Sequence, residues 1–346
     1  MDFTLRLLSW YKENKRDLPW RNTSNPYYIW LSEIILQQTR VEQGLPYYHS
    51  FVTAFPTLKD LATATEDKVL KLWQGLGYYS RARNLHAAAK TIYFDCNNEF
   101  PQNYNDIIKL KGVGPYTAAA IASFAFKEPV AVVDGNVFRV LSRYFGMYED
   151  IAVAKNRNIF QNLANELISK KHPDLFNHAI MDFGATICTP ANPKCNSCPF
   201  NDNCFAFLKN HITSLPVKTK KIKVKDRFLN YMILQSENEV ALQQRTDKDI
   251  WQHLYEFPLM ETTSLIEENV FEQLSQMYPA STIIKLTKQP IKHKLSHQQL
   301  HIDFYLIHTT EFPESLEITR IDELHQFAFP IVIWNFIKDF FKLDKF

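Results

Sequence analysis

Four of the five cysteines in this 346-residue chain, Cys188, Cys195, Cys198 and Cys204, fall within 17 residues in a C-x6-C-x2-C-x5-C spacing. The first residues, MDFTLRLLSWYKENKR, contain no apolar stretch of signal-peptide length, so crowded thiols here suit a metal centre rather than disulfides. Four thiolates could hold a tetrahedral zinc or an iron–sulfur cluster, and ligand softness does not separate the two. A zinc ribbon has two C-x2-C knuckles; this run has one, and its uneven spacing wraps a single compact object. Cys96 stands apart and reads as a small core residue.

Two carboxylates could do proton or sugar chemistry. Glu33 is alone in the apolar stretch YIWLSEIILQQT, where a carboxyl is either paired with a base or poised as an acid. Asp134 follows an apolar run and precedes a helical one, as an N-cap does. Between them Gly112-Val113-Gly114 joins two apolar helical runs. Such a turn, followed by a helix N-terminus, can face a phosphate with its backbone N–H groups, or can merely connect two helices.

These residues need elements to position them. Up to about residue 210 apolar residues recur three and four apart, as in TLRLLSWYKEN and TAAAIASFAF, with breakers at Asn25-Pro26, Gly75-Leu76-Gly77 and Asp134-Gly135. An all-α first domain over residues 1–215 follows. KTKKIKVKDR then reads as a basic linker, taken as residues 216–227. Beyond it FLNYMILQS, EVALQQR and LHIDFYLIH read as strands and VFEQLSQMY and IVIWNFIKDFFKL as helices, giving a small α/β domain over 228–346.

The net charge of +2 conceals an asymmetry, because residues 1–227 carry 29 Lys+Arg against 20 Asp+Glu and the remainder 10 against 17. A basic first part suggests a polyanionic partner. With 46% hydrophobic residues, 22% charged, 8 Gly and 17 Pro, disorder and collagen are excluded. Apolar runs are short and interrupted by charge, so a cytoplasmic, non-membrane protein is expected, and nothing demands more than a monomer.

The cysteine spacing resembles the [4Fe-4S] loop of the endonuclease III and adenine glycosylase superfamily. Together with the Gly-Val-Gly hairpin and the aspartate in VAVVDGNVFRVLSR, it resembles the helix-hairpin-helix DNA glycosylases. LPWR at 18–21, WLSEIILQQTRV at 30–41 and GLGYYSRARNL at 75–85 are similar to the MutY-type adenine DNA glycosylases over nearly the whole first domain, and the chain is identified as a member of that family.

That resemblance implies base-excision repair: hydrolysis of the N-glycosidic bond of adenine opposite 8-oxoguanine or guanine in duplex DNA, in the cytoplasm at the nucleoid. Glu33 becomes the acid at adenine N7, Asp134 the carboxylate that stabilises or captures the oxocarbenium-like sugar, and Tyr116 and Asn136 the groups that orient them. Bifunctional members carry a lysine where this chain has Tyr116, so strong strand cleavage is not expected. Cys188, Cys195, Cys198 and Cys204 would hold the cluster, and Gly112 and Gly114 would meet a phosphate. Trp20 and Arg21 would line the base pocket, while Gln38, Thr39 and Tyr78 fill or wedge the gap beside the opposite base.

By the same resemblance the C-terminal domain is Nudix-like, though without the REx2E glutamates that bind magnesium. Ser296 and His297 would contact the lesion. Three departures stand out: Leu295 where the family has Phe, His178 where Gln or Glu is expected near the adenine, and Lys111 in place of Pro before the hairpin. The competing readings are a recognition-only iron–sulfur protein, an oxidised-pyrimidine glycosylase with lyase activity, and a zinc-ribbon transcription factor.

Overall fold

The computed structural model describes residues 2–219, 224–264, 267–279 and 281–343. Helices used below are α1 (Phe3–Asn14), α2 (Pro26–Ile35), α3 (Glu66–Trp73), α4 (Pro115–Phe126), α5 (Gly135–Phe145), α6 (Pro173–Thr186) and α7 (Ile331–Phe341). The strands are β1 (Lys225–Ser236), β2 (Glu239–Gln244), β3 (Tyr255–Glu256), β4 (Leu259–Thr262), β5 (Ile283–Lys285), β6 (Ile291–Lys294), β7 (Gln298–His308) and β8 (Glu317–Arg320). Chain contacts divide the protein into two compact units, Met1–Thr63 with Asn84–Lys220, and Ala64–Arg83 with Lys221–Phe346.

The first unit is helical. Phe3, Leu7 and Tyr11 of α1, Val137, Val140 and Leu141 of α5, and Phe176, Ala179, Ile180 and Phe183 of α6 share one apolar core. Their three- and four-residue spacing gives each helix one inward stripe. A different rule applies to α2 and α4, which pack on each other and are apolar nearly all round. Ile29 to Ile35 are all buried, as are Thr117 to Phe124, so any polar side chain on these helices sits in the interior.

The side chain of Asn25 caps α2 by accepting from the N–H of Tyr27 at 2.9 Å, and Pro26 occupies the first helical position, where its missing N–H costs nothing. Periodicity predicted helix through Thr39, yet α2 ends at Ile35. The N–H of Thr39 turns back to the carbonyl of Leu36 and Gln38 takes a left-handed φ of 56°.

In the second unit the sheet runs β3-β2-β1-β7-β5, with β4 also paired to β1, β6 to β7 and β8 to β2. β1 and β7 are parallel, in register from Lys225↔Gln298 to Gln235↔His308; the other pairs are antiparallel. Met232, Leu234, Tyr305 and Ile307 join Val270 and Leu274 of the helix Glu267–Met277 on one face. Phe304 points to the opposite face, stacked on Phe336 of α7 with ring centres 3.7 Å apart. Both faces being covered explains the uninterrupted apolar runs YMIL and FYLI, where a one-faced sheet would alternate.

Contacts group some residues differently from their order in the sequence. Ala64–Arg83, expected in the first domain, belongs by its contacts to the sheet unit. The Lys71 ammonium of α3 donates to the carbonyl of Phe327 at 2.8 Å and lies 4.4 Å over the Trp334 ring, and the Arg83 guanidinium donates to the carbonyl of Gln252 at 2.7 Å. In addition, Lys225 to Arg227 of the expected linker open β1, and Arg227 pairs with Asp249 and Glu261 at 2.8 and 2.6 Å. Linker residues 220–223 lie outside the described residues. Cys96 is half-buried at a helix end and is not a core residue.

Candidate active site

Glu33 comes from α2, Tyr116 from the first turn of α4 and Asp134 from the position just before α5. All three face one cleft of about 880 Å³ in the helical unit. Glu33 is 7% exposed. Loss of water around the carboxyl pushes its pKa up to about 7; the Tyr116 hydroxyl, donating to it, acts downward, the negative Asp134 upward, and Arg21 downward. Burial thus favours the protonated form of Glu33 well above the usual carboxylate range. Tyr116 itself is held well above the usual phenol range by burial and by the two carboxylates, so it stays a donor.

Asp134 is at once the N-cap of α5 and a member of the cleft. One carboxylate oxygen accepts from the N–H groups of Asn136 and Val137, both at 2.8 Å, and the other accepts from the Asn136 side-chain amide at 2.8 Å. Burial raises its pKa, while those three donors act the other way. Asn136 is oriented in turn by Arg139, whose guanidinium donates to its amide oxygen at 2.8 Å. Gly184 of α6 is needed at this point, since a Cβ there would lie 2.6 Å from that of Asn136.

The hairpin borders the same cleft. The short helix Tyr104–Ile107 leads into Lys111-Gly112-Val113-Gly114, and Gly114 caps α4 with Pro115 at its first position. Gly112 has φ +77°, and a Cβ on it would meet Asn84 at 2.5 Å. Gly112 and Gly114 both line the cleft, beside the N-terminus of α4. Lys111 is exposed next to them.

A second cavity in this unit is lined by Cys188, Cys195, Cys198 and Cys204 together, with Phe3, Val140 and Phe183 among its apolar walls. Burial and the neighbouring sulfurs raise the Cys195, Cys198 and Cys204 thiols, Cys198 to about 11. Four thiols gathered in so apolar a space ionise together only against a bound cationic centre. Donors are in place for such sulfurs. The N–H of Phe200 approaches the Cys198 sulfur at 3.4 Å, and an Arg143 N–H the Cys188 sulfur at 3.6 Å. Among the described residues no three ligating side chains close on a point as a single ion requires. Four soft thiol donors gathered in one apolar cavity suit a tetrahedral metal ion or an iron–sulfur cluster.

Two arginines one turn apart on α5 hold this loop. Arg143 donates to the carbonyls of Thr189, Pro190 and Leu215 at 2.7, 3.1 and 3.0 Å, and Arg139 to those of Cys188 and Gly184 at 2.6 and 2.7 Å. The sequence reading missed both, although two cations at i and i+4 on a buried helix face were a visible signal. Truncating Arg143 to Met strands three carbonyls that accept from it, each worth about 1–3 kcal/mol when buried and unpaired. The variant is expected to unfold at a clearly lower temperature in a thermal melt, and an unchanged midpoint would show that the loop is held by other means.

Other residues singled out from the sequence fall as follows. Trp20 is 6% exposed and packs edge-on against Tyr48, with ring centres 5.2 Å apart, and does not line the Glu33 cleft. Arg21, also outside that lining, is locked to the buried Asp182. Both were expected in the wall of the base pocket; one is held by edge-on packing and the other by its ion pair. Gln38 lines the cleft from the turn after α2 and is exposed, with Thr39 half-buried beside it.

His178 on α6 is stacked 3.9 Å from Phe124 and kept neutral, its pKa pushed down to about 3 by burial and by Arg21. In the sheet unit, residues 295–297 form the tip of the β6–β7 hairpin, closed by the Leu295 N–H donating to the carbonyl of Gln298 at 2.8 Å. Ser296 and His297 are exposed there, and the hydroxyls of Ser296 and Tyr78 are hydrogen-bonded to each other. Tyr78 has a left-handed φ of 50°.

Residues 31–166 match the family model of the HhH-GPD superfamily base excision DNA repair proteins, and residues 230–339 match the NUDIX domain model. The adenine DNA glycosylase of Buchnera aphidicola subsp. Schizaphis graminum is 36% identical over 314 residues, covering 90% of this chain and 88% of that protein. The chain belongs to the adenine DNA glycosylase family. A thermostable thymine-DNA glycosylase structure, 33% identical, superposes with a TM-score of 0.56 over 60% of this chain and 95% of its own. An endonuclease III–DNA covalent intermediate, 22% identical with a TM-score of 0.53, shares the fold over the same 60% and 94% of its own chain. The helical repair domain is followed by a Nudix-type domain. No helix among the described residues is long and apolar enough to cross a membrane.

Proposed function

We propose that this chain removes adenine from duplex DNA opposite 8-oxoguanine or guanine, by hydrolysis of the N-glycosidic bond without strong strand cleavage. The observation that carries the reading is the convergence of Glu33 and Asp134, two carboxyl groups in different environments, on one cleft beside the Gly112-Val113-Gly114 turn. Burial raises both carboxyl groups, but Asp134 accepts three N–H donors that favour its charged form whereas Glu33 accepts only the Tyr116 hydroxyl, which fits a division into charge stabiliser and acid.

In this reading the turn and the N-terminus of α4 take a phosphate, and the adenine leaves the stack to reach Glu33. Unstacking costs a few kcal/mol and least for a mispaired base. Glu33 transfers its proton to adenine N7 as the C1′–N9 bond breaks, so the purine departs neutral. Asp134, ionised and held by Asn136 and the α5 N-terminus, faces the positive charge that develops at C1′. Water adds at C1′ and its proton passes to the Glu33 carboxylate, which restores the acid. Tyr116 keeps Glu33 oriented and offers no amine for a Schiff base, which supports excision without lyase chemistry.

Cys188, Cys195, Cys198 and Cys204 would hold a [4Fe-4S] cluster. When bound, the cluster supplies Fe–S bonds that staple the loop carried by Arg139 and Arg143. On the lesion side, Tyr78, Ser296 and His297 are assigned to the 8-oxoguanine strand, His297 as hydrogen-bond donor, and Gln38 and Thr39 to the gap left by adenine. The basic balance of residues 1–227 and the exposed Lys111 add attraction to the backbone.

Duplexes with one A:8-oxoguanine, A:G or A:T pair, incubated with the protein and split into alkali-treated and untreated halves, test this. Cleavage at the adenine only after alkali, and only in the first two duplexes, is expected. Cleavage without alkali would instead indicate a lyase, and intact DNA in a bound complex would indicate recognition alone. Replacing His297 by Ala is expected to slow release from A:8-oxoguanine more than from A:G, by about tenfold if one hydrogen bond of about 1–1.5 kcal/mol is lost. Equal slowing on both duplexes would remove His297 from lesion reading.

A further inference from the structure

The sheet unit holds a cavity of its own, of about 520 Å³, within the size range of small-ligand sites. Tyr78, Ser296 and His297, assigned above to the 8-oxoguanine strand, line it together with Trp251, His293 and Leu295. Trp251 lies in the loop that joins β2 to β3, and His293 lies on β6 below the hairpin tip. Their ring centres are 6.0 Å apart. The reaction described above gives Trp251 no part.

The loop holds Trp251 in a fixed pose. Trp251 and His253 both take left-handed φ values, 61° and 67°, which side chains of this size adopt only where their surroundings impose it. Arginines impose it here. Arg245 donates from Nε to the carbonyl of Ile250 at 3.0 Å and pairs with the buried Glu256 at 2.8 Å. Arg83 holds the carbonyl of Gln252. One nitrogen of Arg227 donates to Asp249 of the loop at 2.9 Å and to the Gln298 side chain, next to His297, at 3.3 Å, so a single guanidinium ties the loop to the hairpin tip. The N–H of Lys225 adds a bond to the carbonyl of His297 at 3.0 Å. Trp251 is 9% exposed, and a ring ordered before its ligand arrives loses little further entropy on binding. Among the described residues no group accepts from its indole N–H, which is not sealed in as that of Trp30 is.

8-Oxoguanine has a carbonyl oxygen at C8 where guanine has a C–H. We propose that Trp251 is a further specificity-determining residue, whose N–H donates to that oxygen when the base opposite adenine meets the cavity. The proposal rests on the reading of the hairpin tip as the contact to the lesion strand. Guanine leaves the donor without a partner, and a site built to hydrogen-bond one group discriminates against the analogue that lacks it. A carbonyl oxygen has two lone pairs, so donation from His297 does not exclude donation from Trp251.

The test is single-turnover adenine release from A:8-oxoguanine and A:G duplexes by the full-length wild-type protein, Trp251→Phe and His297→Ala. Alongside, the indole ¹H–¹⁵N resonances of the wild type are recorded on duplexes with a non-cleavable adenine analogue opposite 8-oxoguanine or guanine. Trp251→Phe keeps a ring in the loop and removes the donor. It is expected to slow release from A:8-oxoguanine more than from A:G, so that the ratio of the two rates falls about threefold to tenfold, as the loss of one neutral hydrogen bond allows. The Trp251 N–H resonance, identified by its absence from Trp251→Phe, should move downfield on the 8-oxoguanine duplex and stay in place on the guanine one. A rate ratio unchanged in Trp251→Phe, or a resonance that responds alike to both duplexes, would overturn the proposal. If Trp251→Phe does not fold, the wild-type spectra decide: the proposal falls when none of the six indole resonances moves on the 8-oxoguanine duplex alone. Failure of the underlying reading looks different. With that reading intact, His297→Ala lowers the rate ratio whatever Trp251→Phe does; with it wrong, neither substitution does.

Discussion

Replacing Glu33 by Gln is expected to slow adenine release by about 10²–10⁴-fold, the range general acid catalysis contributes. Gln fills the same space on α2 and can still accept from the Tyr116 hydroxyl, but it has no proton to give. Activity loss should come with a gain in stability. Burial lifts the pKa of Glu33 from 4.5 to about 7, so the folded state holds a proton that the unfolded chain gives up between those values. A raised carboxyl favours the fold fully below its unfolded value, and that contribution disappears as pH rises through the folded one. At pH 8 the wild type bears the whole cost of a buried carboxylate, about 3 kcal/mol for a shift of this size, and Glu33→Gln does not. Chemical denaturation at pH 5 and pH 8 checks this. The variant should be more stable at pH 8 and nearer to wild type at pH 5; a variant less stable at both would mean that Glu33 contributes to the fold and is not a strained acid.

Asp134→Asn is the second large effect. Asn is as good an N-cap as Asp, so the cap of α5 survives with a change of a few tenths of a kcal/mol. What disappears is the negative charge facing C1′, and losses of about 10²–10³-fold accompany removal of one such electrostatic element. The site adds a further penalty. Arg139 fixes the Asn136 oxygen toward itself, so the Asn136 amide must offer N–H to position 134. An Asn there keeps the cap by aiming its oxygen at the Asn136 and Val137 N–H groups, which turns its own N–H₂ group toward the Asn136 amide and loses that bond. Thermal melts within a few degrees of wild type, together with the loss in single-turnover rate, are expected. A rate within tenfold of wild type would leave the oxocarbenium ion without Asp134.

Much of this was legible in the sequence for physical reasons that act locally. The stripes of α1, α5 and α6, the glycine that Asn84 demands at 112, the cap signal at Asp134 and the run of thiols each leave a local mark. Family motifs supplied the assignment of Glu33, since periodicity alone shows only a lone carboxylate on an apolar helix.

What escaped depends on distant partners. Nothing near Asp182 in the chain says that it will meet Arg16 and Arg21, more than 160 positions away. The i and i+4 spacing of Arg139 and Arg143 was visible, but the carbonyls that they hold lie 45 to 72 positions further along the chain. The helix end at Ile35 was missed because periodicity continues through a turn whose reversal is set by the backbone of Leu36 to Thr39. Residues 64–83 lie within the stretch that matches the helical repair family, and the contacts that Lys71 and Arg83 make with the sheet unit are with residues more than 160 positions away.

The most direct test of the central claim is the pH dependence of single-turnover adenine release from an A:8-oxoguanine duplex by the wild-type protein, with Glu33→Gln measured alongside. If Glu33 is the acid, the wild-type rate falls tenfold per pH unit above a midpoint near 7, while the residual rate of the variant shows no such fall. A wild-type rate that stays flat or rises through pH 7, or the same fall in both proteins, would contradict it.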